Sequence, residues 1–282
     1  MRGATLVAAA AVAVSLAACG GGGSYTTVVD KIKGARKVSV GTKWDQPGLG
    51  LKTGPGDPQG FDVDVARYVV NKLSGGVPVQ ITWRESPSST REALLQNGTV
   101  DMIFASYSIT EARKFKVTFG GPYVIVPQDT MVRANDTGIK TVYDVRGKRL
   151  CLAEGSNSYK RIVDPPPDGL LNLPAKLVPA ANYSDCVRKL EEHQLDAIST
   201  ENLTLAGYAE AEPGKFRLLN QPISNEKWGI GLKKGDTKTC EAVNEAVVQM
   251  WRDGTTTALL HKWFGHAGLK LPSSLPPPEG CP

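Results

Sequence analysis

Several residue types that build catalytic or metal sites are scarce in this sequence. Only three of the 282 residues are histidines, and His193, His261 and His266 are not grouped with the cysteines. No two cysteines have C-x-x-C spacing, so zinc is a poor explanation for them. The sequence also lacks a Ser-His-Asp set and a phosphate-binding loop. We therefore expect no metal, no cofactor and no enzymatic activity.

Neither concentrated positive charge nor a long apolar run is present. The formal net charge of +5 is spread along the chain without a basic run, which argues against nucleic acid as a partner. The apolar run over residues 4–17 is broken by Thr5 and Ser15. It is shorter than the roughly 20 residues of a membrane-spanning helix.

That short run is instead typical of a secretory signal, with positive Arg2 before it and small residues after it. Its ending, Leu16-Ala17-Ala18-Cys19, resembles a bacterial lipobox, which implies removal of residues 1–18 and lipidation of Cys19. An ordinary signal with a chance cysteine is the alternative. Residues 20–24 are Gly and Ser and predict a flexible tether. We expect a protein at the extracytoplasmic face of the cell membrane, held there by its lipid anchor only.

Strand and helix patterns alternate through the chain and predict parallel sheets flanked by helices. The first unit comprises strands 37–41, 79–83 and 100–105 with helices 61–73 and 90–96. The second comprises strands 148–153, 176–178 and 195–199 with helices 158–163 and 184–192. Extended stretches at 122–133 and 223–233 follow the two units, and helices are predicted over 239–252 and 256–264. We interpret Asp62 and Asp64 as capping carboxylates at the start of helix 61–73.

Five segments together resemble the family 3 extracellular solute-binding proteins, the polar amino acid receptors of ABC importers. They are, in chain order, GFDVDV at 60–65, ITEAR at 109–113 with Phe119 and Pro122-Tyr123, LDAI at 195–198, WGI at 228–230 and WFG at 263–265. Any one of them would be weak support. Their order and spacing over about residues 37–266 make the resemblance specific.

The resemblance implies an α/β fold of type II, with two lobes that close on a ligand and two hinge strands between them. Each lobe is expected to hold a mostly parallel sheet flanked by helices. Lobe 1 would comprise residues 25–123 and 228–282, and lobe 2 residues 128–223. The hinges would lie at 124–127 and 224–227, and the protein is expected to be a monomer.

Four cysteines remain after Cys19, and in a secreted chain they suggest two disulfides with three possible connectivities. Within the resemblance, Cys151 and Cys186 fall in lobe 2, whereas Cys240 and Cys281 fall in lobe 1. We therefore favour the pairs Cys151–Cys186 and Cys240–Cys281, which leave the hinge free.

The same resemblance assigns residues to each end of an amino acid ligand. Arg113 matches the arginine that binds the ligand carboxylate, a role suited to a forked and permanently charged donor. Further contacts to that carboxylate are assigned to Ser106, Ser108, Ser156 and Asn157. Glu201 stands where the family has an aspartate for the ligand amino group, with Ser106 beside it. The longer side chain of Glu201 is a departure from the family pattern.

The ligand side chain is assigned to Lys43, Arg91, Ser88 and Tyr183, with Trp44 as an aromatic wall. Two cations facing one cleft repel each other unless an anion lies between them, and the segment 41–50 looks like the opening of actinobacterial glutamate receptors. We therefore predict L-glutamate first and L-aspartate second, delivered to an ABC permease and ATPase complex. A sensor module that signals to a membrane kinase is the alternative. A dehydratase-type enzyme on the same scaffold is a remote one.

Overall fold

The computed structural model describes residues 25–282. The signal segment 1–18, the lipidation site Cys19 and the tether 20–24 lie outside the described residues. No helix among residues 25–282 combines the length and the apolar character needed to cross a membrane.

The described chain contains short and long elements of both kinds. The helices are α1 (Val28–Ala35), α2 (Phe61–Leu73), α3 (Arg91–Gln96), α4 (Glu111–Lys114), α5 (Ser158–Val163), α6 (Tyr183–Glu191), α7 (Asn202–Ala211), α8 (Thr237–Arg252) and α9 (Thr255–Phe264), with a 3-10 turn at Val142–Val145. The strands are β1 (Lys37–Thr42), β2 (Asp45–Gln46), β3 (Gly50–Leu51), β4 (Gln80–Glu85), β5 (Met102–Ile103), β6 (Val117–Arg133), β7 (Arg149–Ala153), β8 (Lys176–Ala180), β9 (Ile198–Glu201), β10 (Phe216–Leu218) and β11 (Ser224–Lys233).

Lobe 1 is built on the parallel strands β1, β4 and β5, with β1 between the other two. Its core packs the apolar faces of α1, α2, α8 and α9 around buried residues such as Phe61, Met250 and Phe264. These helices are amphipathic, as α2 illustrates with Val65, Val69 and Leu73 on its buried side. The expected α/β lobe is therefore present.

Lobe 2 has its own cores around the parallel pair β7 and β8, with α5, α6 and α7 packed beside them. A bridge from Leu150 to Ala197 attaches the segment before β9 in parallel register. Strands β9 and β10 pair antiparallel with β6.

The two lobes are joined by β6 and β11, which pair antiparallel from Ser224 opposite Gln128 to Lys233 opposite Val117. These strands correspond to the two extended stretches that the sequence predicts. The structure joins Cys151 to Cys186 within lobe 2 and Cys240 to Cys281 within lobe 1, the pairs favoured above. Both bridges therefore stay clear of the crossing between the lobes.

Candidate functional site

Three strands of lobe 1 end at one edge of its sheet, and polar residues follow each of them. Lys43 comes directly after β1, Ser86 and Ser88 come after β4, and Ser106 comes shortly after β5. The carboxyl ends of parallel strands are where open α/β sheets bind ligands. We call the space between this edge and the starts of α5 and α7 the cleft.

Two buried cations stand at this edge. The Lys43 ammonium donates a hydrogen bond to Ser88 Oγ at 2.8 Å, and the side chain is 3 % exposed. Arg91, the first residue of α3, is 2 % exposed and donates through Nη1 to the carbonyl of Ala105 at 3.0 Å. Its guanidinium lies 3.8 Å from the centre of the Tyr107 ring. Neither residue is therefore a solvated surface charge.

The electrostatics of this pair favour an anion. Burial, and then the charge of Arg91, lower the pKa of Lys43 to about 7. Burial, and then the charge of Arg113, lower the pKa of Arg91 to about 10. No carboxylate forms an ion pair within 4 Å of either side chain among the described residues, whereas surface cations such as Lys31, Lys116 and Lys238 have such a partner. A ligand carboxylate would relieve this repulsion.

Arg113 lies beside the same aromatic ring, with its guanidinium carbon 5.1 Å from the centre of Tyr107. Nη1 donates to the carbonyl of Ser108 at 2.8 Å, and Nη2 donates to the carbonyl of Gly155 in lobe 2 at 3.1 Å. Nε is 3.8 Å from Glu92. The side chain is almost fully buried, and Glu111 pairs with Lys114 rather than with Arg113. Arg113 therefore forms no surface ion pair with Glu111, and one N–H on each of Nη1 and Nη2 stays available to a ligand.

Glu201 closes β9 and lies at the start of α7, 4 % exposed. Its Oε1 accepts from Ser108 Oγ at 2.9 Å and from the Trp228 indole at 3.2 Å, and its Oε2 accepts from Thr200 Oγ1. Because an ionised carboxylate accepts about four hydrogen bonds, Oε2 keeps one acceptor position. Glu201 is thus a buried anion between the lobes, and it can receive one more donor.

The remaining lobe 2 candidates lie together at the start of α5. Ser156 Oγ and the Tyr183 hydroxyl are 2.6 Å apart, and Tyr183 also donates to Ser158 Oγ at 3.2 Å. Asn157 is half-buried in the N-cap position of α5, where its side chain makes no capping bond. Ser156 and Asn157 directly follow Gly155, whose carbonyl accepts from Arg113 of lobe 1.

Two tryptophans, Trp44 and Trp228, adjoin candidate site residues and differ in their burial. Trp228 is fully buried in the lobe 1 core and contacts Glu201. Trp44 is half-buried, with the Lys52 ammonium 4.5 Å above its ring. Trp44 therefore keeps its place as the candidate wall beside Lys43.

Sequence reasoning misses a buried support behind Ser106. Ser106 has a φ of 43°, which is rare for a residue with a side chain. Its backbone N–H donates to Asp62 Oδ2 at 2.7 Å, and its hydroxyl donates to Gln46 Oε1 at 3.0 Å. The Tyr123 hydroxyl donates to the other oxygen of Asp62 at 2.7 Å. These bonds hold Ser106 in its unusual conformation.

The interpretation of Asp62 as a helix cap is therefore wrong. No side chain caps the start of α2, and burial raises the pKa of Asp62 to about 6. Asp64 is not a cap either, because it accepts from Lys262 at 2.7 Å and from the Trp263 indole at 2.9 Å. The GFDVD motif, which resembles the family signature, was the feature of the sequence that could have indicated a role beyond capping for these two aspartates.

The lobes touch on both sides of the cleft. A Cβ atom on Gly155 would lie 2.4 Å from the backbone of Ser88, and one on Gly207 would lie 2.0 Å from the carbonyl oxygen of Pro47. The Tyr208 hydroxyl donates to the carbonyl of Asp45 at 2.8 Å. Backbone of one lobe thus packs directly on backbone of the other, which is a closed arrangement.

The geometry suits a small zwitterion with a second acid. Arg113 offers paired donors for one carboxylate, Glu201 offers an acceptor for an ammonium, and Lys43 and Arg91 offer cations for a further carboxylate. No group of three or more His, Cys, Asp or Glu side chains within residues 25–282 is arranged to hold a metal ion.

Comparison with known proteins agrees with this geometry. Residues 38–266 match the sequence model of the bacterial extracellular solute-binding proteins, family 3. The chain is 39 % identical to the glutamate-binding protein GluB of Corynebacterium glutamicum, over 97 % of this chain and 94 % of that one. It is 31 % identical to the glutamine-binding protein GlnH of an ABC transporter of Bacillus subtilis, over 89 % and 92 % of the two chains.

Among solved structures, the ancestral amino acid-binding protein AncCDT-1, a precursor of cyclohexadienyl dehydratase, superposes with a TM-score of 0.73. It is 26 % identical, and the match covers 84 % of this chain and 99 % of that one. The two-lobed type II architecture expected from the sequence is confirmed by this likeness.

Proposed function

This chain belongs to family 3 of the bacterial extracellular solute-binding proteins, and we propose that it binds an acidic amino acid between its two lobes. L-glutamate is the first candidate and L-aspartate the second. The observation that carries the proposal is that three buried cations, Lys43, Arg91 and Arg113, share one cleft with the buried carboxyl group of Glu201, which keeps an acceptor position. Glutamate has the matching set of two carboxylates and one ammonium.

In this proposal the ligand carboxylate binds Arg113, with Ser106, Ser108, Ser156 and Asn157 around it, and the ammonium binds Glu201. The side-chain carboxylate lies against Lys43 and Arg91, with Ser88 and Tyr183 nearby. The name of the Corynebacterium glutamicum relative supports glutamate.

The cleft closes by rotation about hinges at 124–127 and 224–227, with lobe 1 at 25–123 and 228–282 and lobe 2 at 128–223. The ligand contacts both lobes only in the closed state, so it shifts the population toward closure. Cys19 anchors the protein to the membrane through lipid, and the closed form delivers its amino acid to an ABC permease and ATPase.

A thermal-shift screen across the amino acids tests the proposal. A ligand at about 100 times its dissociation constant should add roughly 2.7 kcal/mol of stability. Glutamate and aspartate should give the largest shifts, and the amides smaller ones. Stabilisation by lysine, a sugar or a peptide, with none by dicarboxylic amino acids, would overturn it.

Arg91→Ala should reduce the preference for glutamate over glutamine. Removing one partner of a buried charge pair costs about 2–5 kcal/mol, whereas a lost hydrogen bond to a neutral amide costs about 1–3 kcal/mol. The ratio of the two dissociation constants should therefore move toward one by roughly tenfold or more. Titration calorimetry with both ligands on the same preparation measures that ratio. Equal weakening of the two ligands would show that Arg91 does not contact the ligand side chain.

Glutamate binding should take up protons above about pH 7. The pKa of Lys43 is lowered to about 7 in the closed arrangement without ligand, and it rises again when a carboxylate is placed beside the ammonium. The affinity for glutamate should therefore fall as the pH rises from about 7 to about 9. Calorimetry at about pH 8 in two buffers of different ionisation enthalpy counts the protons.

The controls for this measurement are glutamine and Lys43→Met. Glutamine brings no second carboxylate and should take up fewer protons, and Lys43→Met should remove most of the buffer dependence. Equal binding enthalpies in both buffers for glutamate would contradict the prediction.

A further inference from the structure

The C-terminal segment 265–282, which has no helix or strand, lies against lobe 1 close to the crossing strands. Leu269, Leu271 and Cys281 pack on the lobe 1 core, and the Cys240–Cys281 bridge ties the segment to α8. We call residues 265–282 the tail. The tail is therefore fixed to lobe 1 by both apolar packing and a disulfide.

The tail places one carboxylate between two lysines from different elements. Glu279 Oε2 lies 2.5 Å from the Lys114 ammonium at the end of α4, and its Oε1 accepts from the Lys227 ammonium of β11 at 2.5 Å. The Glu279 side chain is 15 % exposed, and its pKa is lowered by its hydrogen bonds to the two lysines against the opposing effect of burial. These pairs are thus better shielded from water than an ordinary surface ion pair.

The backbone of the tail is tied to the other crossing strand. The Glu279 N–H donates to the carbonyl of Gly121 in β6 at 3.1 Å, and the Gly121 N–H donates to Asn244 Oδ1 at 2.6 Å. Asn244 in turn donates to Cys281 Sγ at 3.2 Å. Glu279 therefore touches both strands that connect the lobes, and α4 as well.

Helix α4 also carries Arg113, one residue before Lys114. A four-residue helix has little stability of its own, so its position depends on its contacts. We propose that Glu279 is a positioning residue for the binding site, which holds α4 through Lys114 and β11 through Lys227 and so fixes Arg113 against the cleft. This inference rests on the proposed function, since it concerns the same ligand carboxylate.

Glu279→Gln tests the proposal with the full chain, because the amide keeps the shape and loses the charge. We expect glutamate to bind about threefold to tenfold more weakly, through faster dissociation, as two partly buried ion pairs are lost. Glu279→Asp, which keeps the charge, should recover part of the affinity. Glu111→Gln is the matched control. It removes the other carboxylate that pairs with Lys114, at 2.9 Å, but that side chain is 83 % exposed.

Calorimetry and stopped-flow release of glutamate give the affinities and rates, and the melting temperature of the ligand-free protein separates positioning from folding. Weaker binding of Glu279→Gln with an unchanged melting temperature, and a normal Glu111→Gln, supports the proposal. Normal binding by Glu279→Gln, or equal losses for both variants, overturns it. If the unaltered protein binds no amino acid, the proposed function fails instead.

Discussion

Arg113→Ala should abolish measurable binding of glutamate and aspartate while the protein stays folded. The Arg113 guanidinium is the group assigned to the ligand carboxylate, it can present more than one N–H donor to that carboxylate, and it is almost fully buried. Losing the partner of a buried carboxylate typically costs about 2–5 kcal/mol, or roughly 30- to several-thousand-fold in affinity. Alanine also removes the bond from Arg113 to Gly155, which joins the lobes.

Titration calorimetry measures the loss, and circular dichroism checks that the variant is folded. Arg67→Ala is the matched control, because Arg67 is an arginine of the same lobe with 42 % exposed side chain and a surface partner in Asp57. Its affinity should stay within about twofold of the unaltered protein, since exposed ion pairs contribute about 1 kcal/mol or less. An Arg113→Ala protein that still binds glutamate at near-normal affinity would remove the carboxylate assignment.

The candidate residues that the sequence indicates most directly are those with a local signature. Lys43 and Arg91 follow the ends of strands with clear alternation or buried patterns, and the edge of a parallel sheet gathers them. Arg91 and Arg113 lie beside the Tyr107 ring, and Lys43, whose pKa is lowered first by burial, is close enough to both arginines for their charges to lower it further. When the position of a residue is set by the strand or helix that carries it, that position can thus be predicted from one segment of the sequence.

Residues placed by distant elements could not be found in this way. Asp62 has the position of a helix cap, and local rules favour that role, but Tyr123 and Ser106 converge on it from other parts of the chain. The contact of Glu279 with Lys114 likewise joins segments far apart in sequence. For Asp62, tertiary contacts override the local preference for capping. For Glu279, no local feature of the sequence indicates the contact with Lys114.

The helix α7 was missed for a different reason. Its first seven residues are all buried, so it has no polar face and no helical periodicity to read. The burial arises because α7 lies between the lobes, with Leu203 in the lobe 1 core and Tyr208 in the lobe 2 core. Its position between the lobes thus explains both why α7 lacks a helical pattern in the sequence and why it lies where the two lobes meet.

Gly207→Ala in α7 should therefore leave both lobes folded and prevent their closure. The added methyl would lie 2.0 Å from the backbone oxygen of Pro47, a distance that requires backbone movement. Alanine is favoured over glycine inside a helix by about 1 kcal/mol, so the ligand-free protein should be no less stable than before. Without closure the ligand loses contacts such as Glu201, and its affinity should fall by roughly 30-fold or more.

Gly138→Ala is the matched control, since Gly138 is exposed in lobe 2 and its added methyl would meet only Asp136 Oδ1, at 3.6 Å. Calorimetry gives the affinities, and small-angle scattering with and without glutamate reports whether the molecule contracts. Gly207→Ala should show weak binding and no contraction, whereas Gly138→Ala should behave as the unaltered protein. The melting temperature distinguishes the two possible causes of weak binding, because a destabilised fold would lower it and a blocked closure would not. Tight binding by Gly207→Ala would contradict the prediction, since it would mean that the ligand does not need the contact between α7 and Pro47.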